Sequence, residues 1–154
     1  MSGSPEERLH ALGMTLPAVV PPLAAYVPAV RSGSLVFSAG QLPFSDGVLL
    51  ATGKVGVDVS PETAADCARQ AAFNALAAIA AEIGGLNAIG RIVKVTVFVA
   101  GPPHFTGQPT VANGASDFLG TIFGDDGRHA RSAVGVAALP LDAPVEVEVT
   151  AEVA

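Results

Sequence analysis

The chain has 154 residues, half of them hydrophobic, and a net charge of −6 at neutral pH. That is enough to bury a substantial core, and the simplest organisation is one domain over residues 1–154, with residues 1–20 as an N-terminal helix and linker. Its eight lysines and arginines are scattered, which excludes the basic stripe of a nucleic-acid scaffold and the polybasic run of a lipid-surface anchor.

Ser4-Pro5-Glu6-Glu7 predicts a capping box with proline at the first helical position, opening a short helix that stops by Gly13 and buries Leu9 and Leu12. Nothing before it has the basic and apolar parts of a signal peptide. The longest apolar helical stretch, about Ala71 to Ala81, falls short of the ~18 residues of a membrane span. A cytoplasmic location with no membrane contact is the expectation. The single cysteine, Cys67, cannot form an intrachain disulfide.

The proline-rich stretch Val19 to Pro22 reads as an extended linker. Tyr26-Val27-Pro28-Ala29-Val30 and Leu35-Val36-Phe37-Ser38-Ala39 bracket Arg31-Ser32-Gly33-Ser34 as a hairpin, with Pro28 confining the first strand to an edge. A short strand at Val48-Leu49-Leu50 follows. Ser60-Pro61 starts a long helix that ends near Ile83 at Gly84-Gly85, with Ala72, Leu76, Ile79 and Ile83 as its apolar stripe. Arg91 to Ala100 is the clearest strand: Val93, Val95, Val97 and Val99 alternate with Lys94, Thr96 and Phe98. A second helix covers about Val111 to Ile122.

Two strands close the chain, Ala130 to Val136 and Val145 to Glu152, separated by a turn at Leu139 to Pro144. Period-two alternation places Val145, Val147, Val149 and Val153 on one face and Glu146, Glu148, Thr150 and Glu152 on the other. In the earlier strand Arg131 shares a face with Ala133, Gly135 and Ala137. One cation beside very small side chains leaves room for a small anionic ligand or for another backbone. The pattern predicts an α+β fold: a two-layer sandwich in which two main helices cover the valine face of a mixed sheet. The other face, with Phe98, alanines and charges, reads as a subunit interface.

The segments Tyr26-Val27, Phe37-Ser38-Ala39-Gly40-Gln41-Leu42-Pro43, Gly53-Lys54-Val55-Gly56, Ala68-Arg69-Gln70-Ala71, Val93 to Val99, Ala130-Arg131-Ser132, Leu139-Pro140 and Val145-Glu146-Val147-Glu148, in this order and spacing, resemble the RidA/YjgF family of reactive intermediate deaminases, also called L-PSP endoribonucleases. Asn113-Gly114-Ala115-Ser116-Asp117 and Gly127-Arg128-His129-Ala130-Arg131 mark a particular branch. The resemblance covers nearly everything after Pro21. It implies a chorismate-mutase-like fold assembled as a homotrimer with three clefts between subunits. It also implies hydrolysis of small 2-imino or enamino acids to 2-oxo acids and ammonia, without a cofactor or metal.

Site positions carried over from the resemblance are Arg131 and Glu146 as catalytic residues and Tyr26, Ala39, Gly40, Asn113 and Ala133 as substrate-binding ones. Arg131 holds a carboxylate in a two-bond fork or, in the plainer reading, pairs with an acidic side chain across an interface. Glu146, with the Ala133 carbonyl, activates a water, or else belongs to a solvated acidic row with Glu148 and Glu152. Asn113 is a helix cap or a polar wall of the cleft, and Tyr26 closes over the ligand or packs on a neighbour. Gly40 offers its N–H or simply turns the chain. The family commonly has serine where Ala39 stands and cysteine where Ala133 stands, so a non-catalytic carboxylate-binding protein is the second reading and ribonuclease activity a third. If the last two strands form a hairpin, Arg131 and Glu146 lie ~20 Å apart in one chain. One small substrate can then meet both only between subunits. His10, His104 and His129 form no ligand pattern.

Overall fold

The computed structural model describes residues 2–19, 21–22 and 24–154; part of the expected 19–22 linker lies outside them. Among the described residues the chain forms a mixed α+β fold of three α-helices and a mixed five-stranded sheet, with the two longer helices covering one face of that sheet. The first helix, α1 (Pro5–Ala11), starts as its capping box predicts: Ser4 Oγ accepts from the Glu7 N–H at 3.3 Å and the Glu7 carboxylate accepts from the Ser4 N–H at 2.7 Å. Leu9 is buried, but Leu12 is not. It follows the last helical turn, and α1 docks instead through polar groups: Arg8 Nη1 donates to the Ile122 carbonyl at 3.2 Å, and Glu6 pairs with Asn87.

Strands β1 (Ala29–Ser32) and β2 (Leu35–Ser38) form the predicted hairpin with shifted limits. The ladder cannot begin at Tyr26, because Pro28 has no N–H to give; its carbonyl instead accepts from Ala39 N at 2.7 Å. Gly33, at φ 63°, closes a turn so tight that Arg31 and Ser32 remain in the strand. A separate hairpin, β3 (Phe44–Ser45) with β4 (Val48–Leu49), lies outside the main sheet.

Helix α2 (Pro61–Ile83) runs between the predicted limits, capped by Ser60 and stopped by Gly84 at φ 96°. It is buried on more than the expected stripe; Ala64, Cys67, Ala68, Ala71, Ala75 and Ala78 are all enclosed. Alanine allows this because it lets neighbouring backbones come close on every side. Strand β5 (Ile89–Ala100) is the longest strand of the sheet, and helix α3 (Gln108–Phe123) crosses from it to β6 (Ala130–Val136). The last strand is β7 (Val145–Val153).

The strand order is β1-β2-β7-β5-β6, with β6 parallel to β5 and the other pairs antiparallel. The last two strands are therefore not a hairpin: β5 lies between them. Val95, Val97, Val145, Val147 and Val149 pack beneath the helices, each burial contributing about 1.5–3 kcal/mol. A register shift between Ile92 and Lys94 puts Ile92 in the core and leaves Val93 half-buried, against the simple alternation.

The two faces of β6 are also reversed from expectation. Val134 pairs with Phe98 on the uncovered face and is 42% exposed, whereas Ala133 pairs with Val97 and packs against the core. Arg131, two residues before Ala133, therefore lies on the helix side. Small residues on β6 make room for α3, not for the open face.

α2 and α3 touch backbone to backbone at Gly114, where an added Cβ would overlap the Ala65 carbonyl. This contact sets the rotation of α3 and turns Asn113 and Ser116, three residues apart on one helix face, toward β6. Among the described residues no helix is long and apolar enough to cross a membrane. Gly114→Ala is expected to lower stability by about 1–3 kcal/mol in urea denaturation, because neither backbone can yield locally. Gly120→Ala, with nothing within 4 Å of the new methyl, should be neutral or stabilising by up to about 1 kcal/mol.

Candidate active site

Arg131 lies at the start of β6, an edge strand, where its half-buried side chain reaches α3. Nη1 donates to Asn113 Oδ1 at 2.8 Å and to Ser116 Oγ at 3.2 Å. Both Nη1 hydrogens are thereby used, while among the described residues Nε and Nη2 have no partner. Those two groups form the side-on fork that fits a carboxylate. A cleft of about 310 Å³ opens beside it, lined by Ser116, Gly120, Gly127, Arg128, His129 and Arg131. Among the described residues no carboxylate pairs with Arg131 within the chain; the ion pairs are Lys54–Asp142 and Arg128–Asp125.

Asn113 is not a cap, and it is not among the residues that line this cleft; it holds Arg131 from behind through its Oδ1. The helix begins at Gln108, three residues before the expected start at Val111, so Asn113 sits in the second turn. His129 is a second correction: its Nε2 lies 2.9 Å from Ser116 Oγ and its Nδ1 2.6 Å from the Gly127 carbonyl oxygen. The histidine is part of the arginine's surroundings. The sequence signs of this cluster were the helical spacing of Asn113 and Ser116 and the two-residue spacing of His129 and Arg131; that Ser116 joins the two pairs depends on how α3 packs beside β6.

Glu146 begins β7 on the uncovered face, with Phe98 opposite. Its neighbour is Gly40: a Cβ there would come within 2.8 Å of Glu146 Cδ and Oε1. Glycine leaves that side-chain space to the carboxyl group, which would have to shift for any larger residue. Ala39 precedes it, half-buried, with its carbonyl near Gln41 Nε2. Burial first, and then the negative charge of Glu148, raises the Glu146 pKa above the ordinary carboxylate value. A raised pKa suits a group that must take a proton from water. Tyr26 lies in the irregular segment before β1, 60% exposed.

The structure thus forms two clusters, Arg131 with Asn113 and Glu146 with Gly40, and does not bring them together in one chain. Residues paired across strands point to the same side. Arg131 aligns with buried Val95, while Glu146 aligns with Phe98 on the other side of the sheet. Three residues along at ~3.3 Å and two strand spacings of ~4.8 Å put their Cα atoms roughly 14 Å apart. That is shorter than the hairpin estimate, but the opposite orientation separates the functional groups more firmly than distance would.

A family model described as Endoribonuclease L-PSP matches residues 17–153. The chain belongs to that family, the RidA/YjgF group. Protein TCP17 of Trypanosoma cruzi is 42% identical over 152 residues, covering 98% of this chain and 95% of its own. The 2-iminobutanoate/2-iminopropanoate deaminase of Salmonella typhimurium is 37% identical over 136 residues, covering 88% of this chain and 90% of its own. A crystal structure of a protein with unknown function from Agrobacterium tumefaciens superposes with a TM-score of 0.90 at 44% identity, covering 97% of this chain and 92% of that one. The RidA/YjgF match begins after α1, so the helix that docks Arg8 on α3 precedes the matched segment.

A larger cleft of about 450 Å³, with Lys54, Phe105, Gln108 and Gly135 among its walls, lies at the far end of β6 and contains none of the expected site residues. Cys67 is enclosed by α2's neighbours, and desolvation, followed by the charge of Asp66, pushes its thiol up to about 11. A thiol held protonated in this way is a packing group. Among the described residues no cluster of three or more histidine, cysteine or acidic side chains has the arrangement of a metal site.

The raised pKa of Glu146 has a definite sign in stability. As pH rises past the ordinary carboxylate value the unfolded chain ionises first, so the folded state loses stability until the raised pKa is passed. Glu146→Gln should match the wild type in urea denaturation at low pH and become the more stable of the two as pH rises through that window.

Proposed function

We propose that this protein hydrolyses small 2-imino and enamino acids, of the 2-aminoacrylate and 2-iminobutanoate type, to 2-oxo acids and ammonia without a cofactor. The observation that carries this reading is the Arg131 guanidinium, anchored through one nitrogen by Asn113 and Ser116, with its remaining edge beside an open cleft and no acidic partner among the described residues. The deaminase name of the Salmonella relative supports the reaction class.

The chemistry asks little of the protein. An imine carbon is already electrophilic, and protonation of its nitrogen makes it more so. Arg131 holds the substrate carboxylate. Glu146 takes a proton from a water as its oxygen bonds to the imine carbon, giving a carbinolamine. Return of that proton to nitrogen, then cleavage of the C–N bond as the hydroxyl proton passes to the Glu146 carboxylate, releases ammonia and the 2-oxo acid. Orientation supplies most of the acceleration.

Because Arg131 and Glu146 point to opposite sides of one sheet, this mechanism requires them from different subunits. The uncovered face supports an assembly: Val30, Phe37 and Val134 are exposed there, with half-buried Phe98 between them. A closed homotrimer, with three clefts each pairing one chain's edge strand with another's open face, is the arrangement we infer.

Ala39 and Ala133 present only backbone polar groups, which favours a non-catalytic carboxylate-binding protein as the competing reading; ammonia release from freshly generated 2-iminobutanoate separates the two. Ribonuclease activity is disfavoured by the net charge of −6 and would be revived by RNA cleavage that survives loss of Arg131.

Arg131→Ala is expected to fold normally and lose at least about 100-fold in kcat/KM, since a charge-assisted fork contributes ~1.5–3 kcal/mol and also aligns the reacting carbon. Val134→Glu should give folded monomers without activity, read by light scattering and ammonia release; an active monomer would refute the shared cleft. Refolding Arg131→Ala and Glu146→Gln chains together should restore about a quarter of wild-type activity, because random assembly places both native residues in one cleft in four.

A further inference from the structure

Arg131 is useful only if its free edge is presented in one orientation, and Asn113 alone gives a single hydrogen bond about which the guanidinium can swing. The second anchor is the Ser116 hydroxyl at 3.2 Å, and that hydroxyl has another neighbour, His129 Nε2 at 2.9 Å. The polarity of this chain follows from the groups at its ends. A carbonyl can only accept, so the 2.6 Å contact to the Gly127 oxygen puts the proton of a neutral imidazole on Nδ1 and leaves Nε2 bare. Ser116 then donates to Nε2. A guanidinium can only donate, so Arg131 uses a Ser116 lone pair. Every hydrogen in the series has one acceptor, and the hydroxyl rotor is locked.

We propose that Ser116 and His129 are positioning residues: the imidazole fixes the Ser116 hydroxyl, which fixes Arg131 with its Nε–Nη2 edge toward the cleft. The parts that hold the relay are rigid. Gly114 seats α3 on α2, and Gly127 lies so close to α3 that an added Cβ would come within 2.6 Å of the Leu119 oxygen. The Gly127 carbonyl that orients His129 is therefore carried on the same helix surface as Ser116. Among the described residues the His129 ring nitrogens contact only Ser116 and the Gly127 carbonyl. Its effect on a ligand passes through the serine and the arginine.

This inference rests on the proposed role of Arg131 in holding a carboxylate, and the experiment separates the two. Ser116→Ala, His129→Ala, His129→Gln, His129→Asn and Arg131→Ala are compared by thermal melting, by calorimetric titration with 2-oxobutanoate, and by ammonia release from 2-iminobutanoate. Ser116→Ala and His129→Ala should each weaken 2-oxobutanoate binding and raise KM by about tenfold, with a smaller change in kcat. His129→Gln, whose amide oxygen takes the place of Nε2, should recover most of that loss; His129→Asn, which reproduces only the Nδ1 side, should not. The Ser116→Ala/His129→Ala double variant should be no worse than Ser116→Ala alone, because both substitutions remove one series of bonds.

Wild-type binding in folded Ser116→Ala and His129→Ala, with binding lost in Arg131→Ala, overturns the positioning role and leaves the functional reading standing. A His129→Gln no better than His129→Ala overturns it as well. Wild-type binding and turnover in Arg131→Ala overturns the functional reading, and this inference with it. Ser116→Ala deletes a single oxygen, so the test holds even if the histidine variants misfold.

Discussion

The insertion of β5 between β6 and β7 governs the rest of this structure. It makes β6 an edge strand, joined to β5 in parallel through α3, and makes β7 an interior strand that meets β5 antiparallel. Register then decides which side of the sheet each chemical group occupies. Arg131 aligns with a buried valine and Glu146 with a phenylalanine of the uncovered face. Had β6 and β7 paired as a hairpin, the two groups would differ only in distance; with β5 between them they differ in face.

Close backbone approach is the second organising feature. α2 is lined with alanine, and α3 meets it at a glycine that no other residue could replace without moving one helix. The same economy recurs at Gly127 against α3 and at Gly40 against Glu146. In each case the missing side chain lets a polar group take a fixed position: Ser116 and Asn113 on α3, the carbonyl that holds His129, and the carboxyl on β7. These glycines act through contact distance, since the backbone at none of the three is in the left-handed region.

Both principal polar groups carry unsatisfied capacity. Arg131 has two nitrogens without a protein acceptor among the described residues, and Glu146 sits where burial and a like charge oppose its ionisation. The setting of Glu146 costs folding stability that an ordinary surface carboxylate would not. The valine and alanine core readily carries that cost. Such groups become favourable when a small anion and a proton donor occupy the space before them, which is the electrostatic basis of the functional reading.

The local rules were legible without coordinates. Capping serines followed by proline marked the starts of α1 and α2, Gly84 marked the end of α2, and valine alternation identified β5 and β7. Ordered motifs pointed to the family and to the two residues of the proposed chemistry. Three features were out of reach because they depend on pairs distant in sequence. Strand order displaced the expected hairpin and reversed the faces of β6; a register shift moved Val93 out of the core; and His129 met Ser116 only when α3 came down beside the Gly127 turn. Periodicity states that two residues share a face, but it does not state which layer that face will meet. That is settled by which strand lies next to which, and by where a glycine allows two backbones to touch.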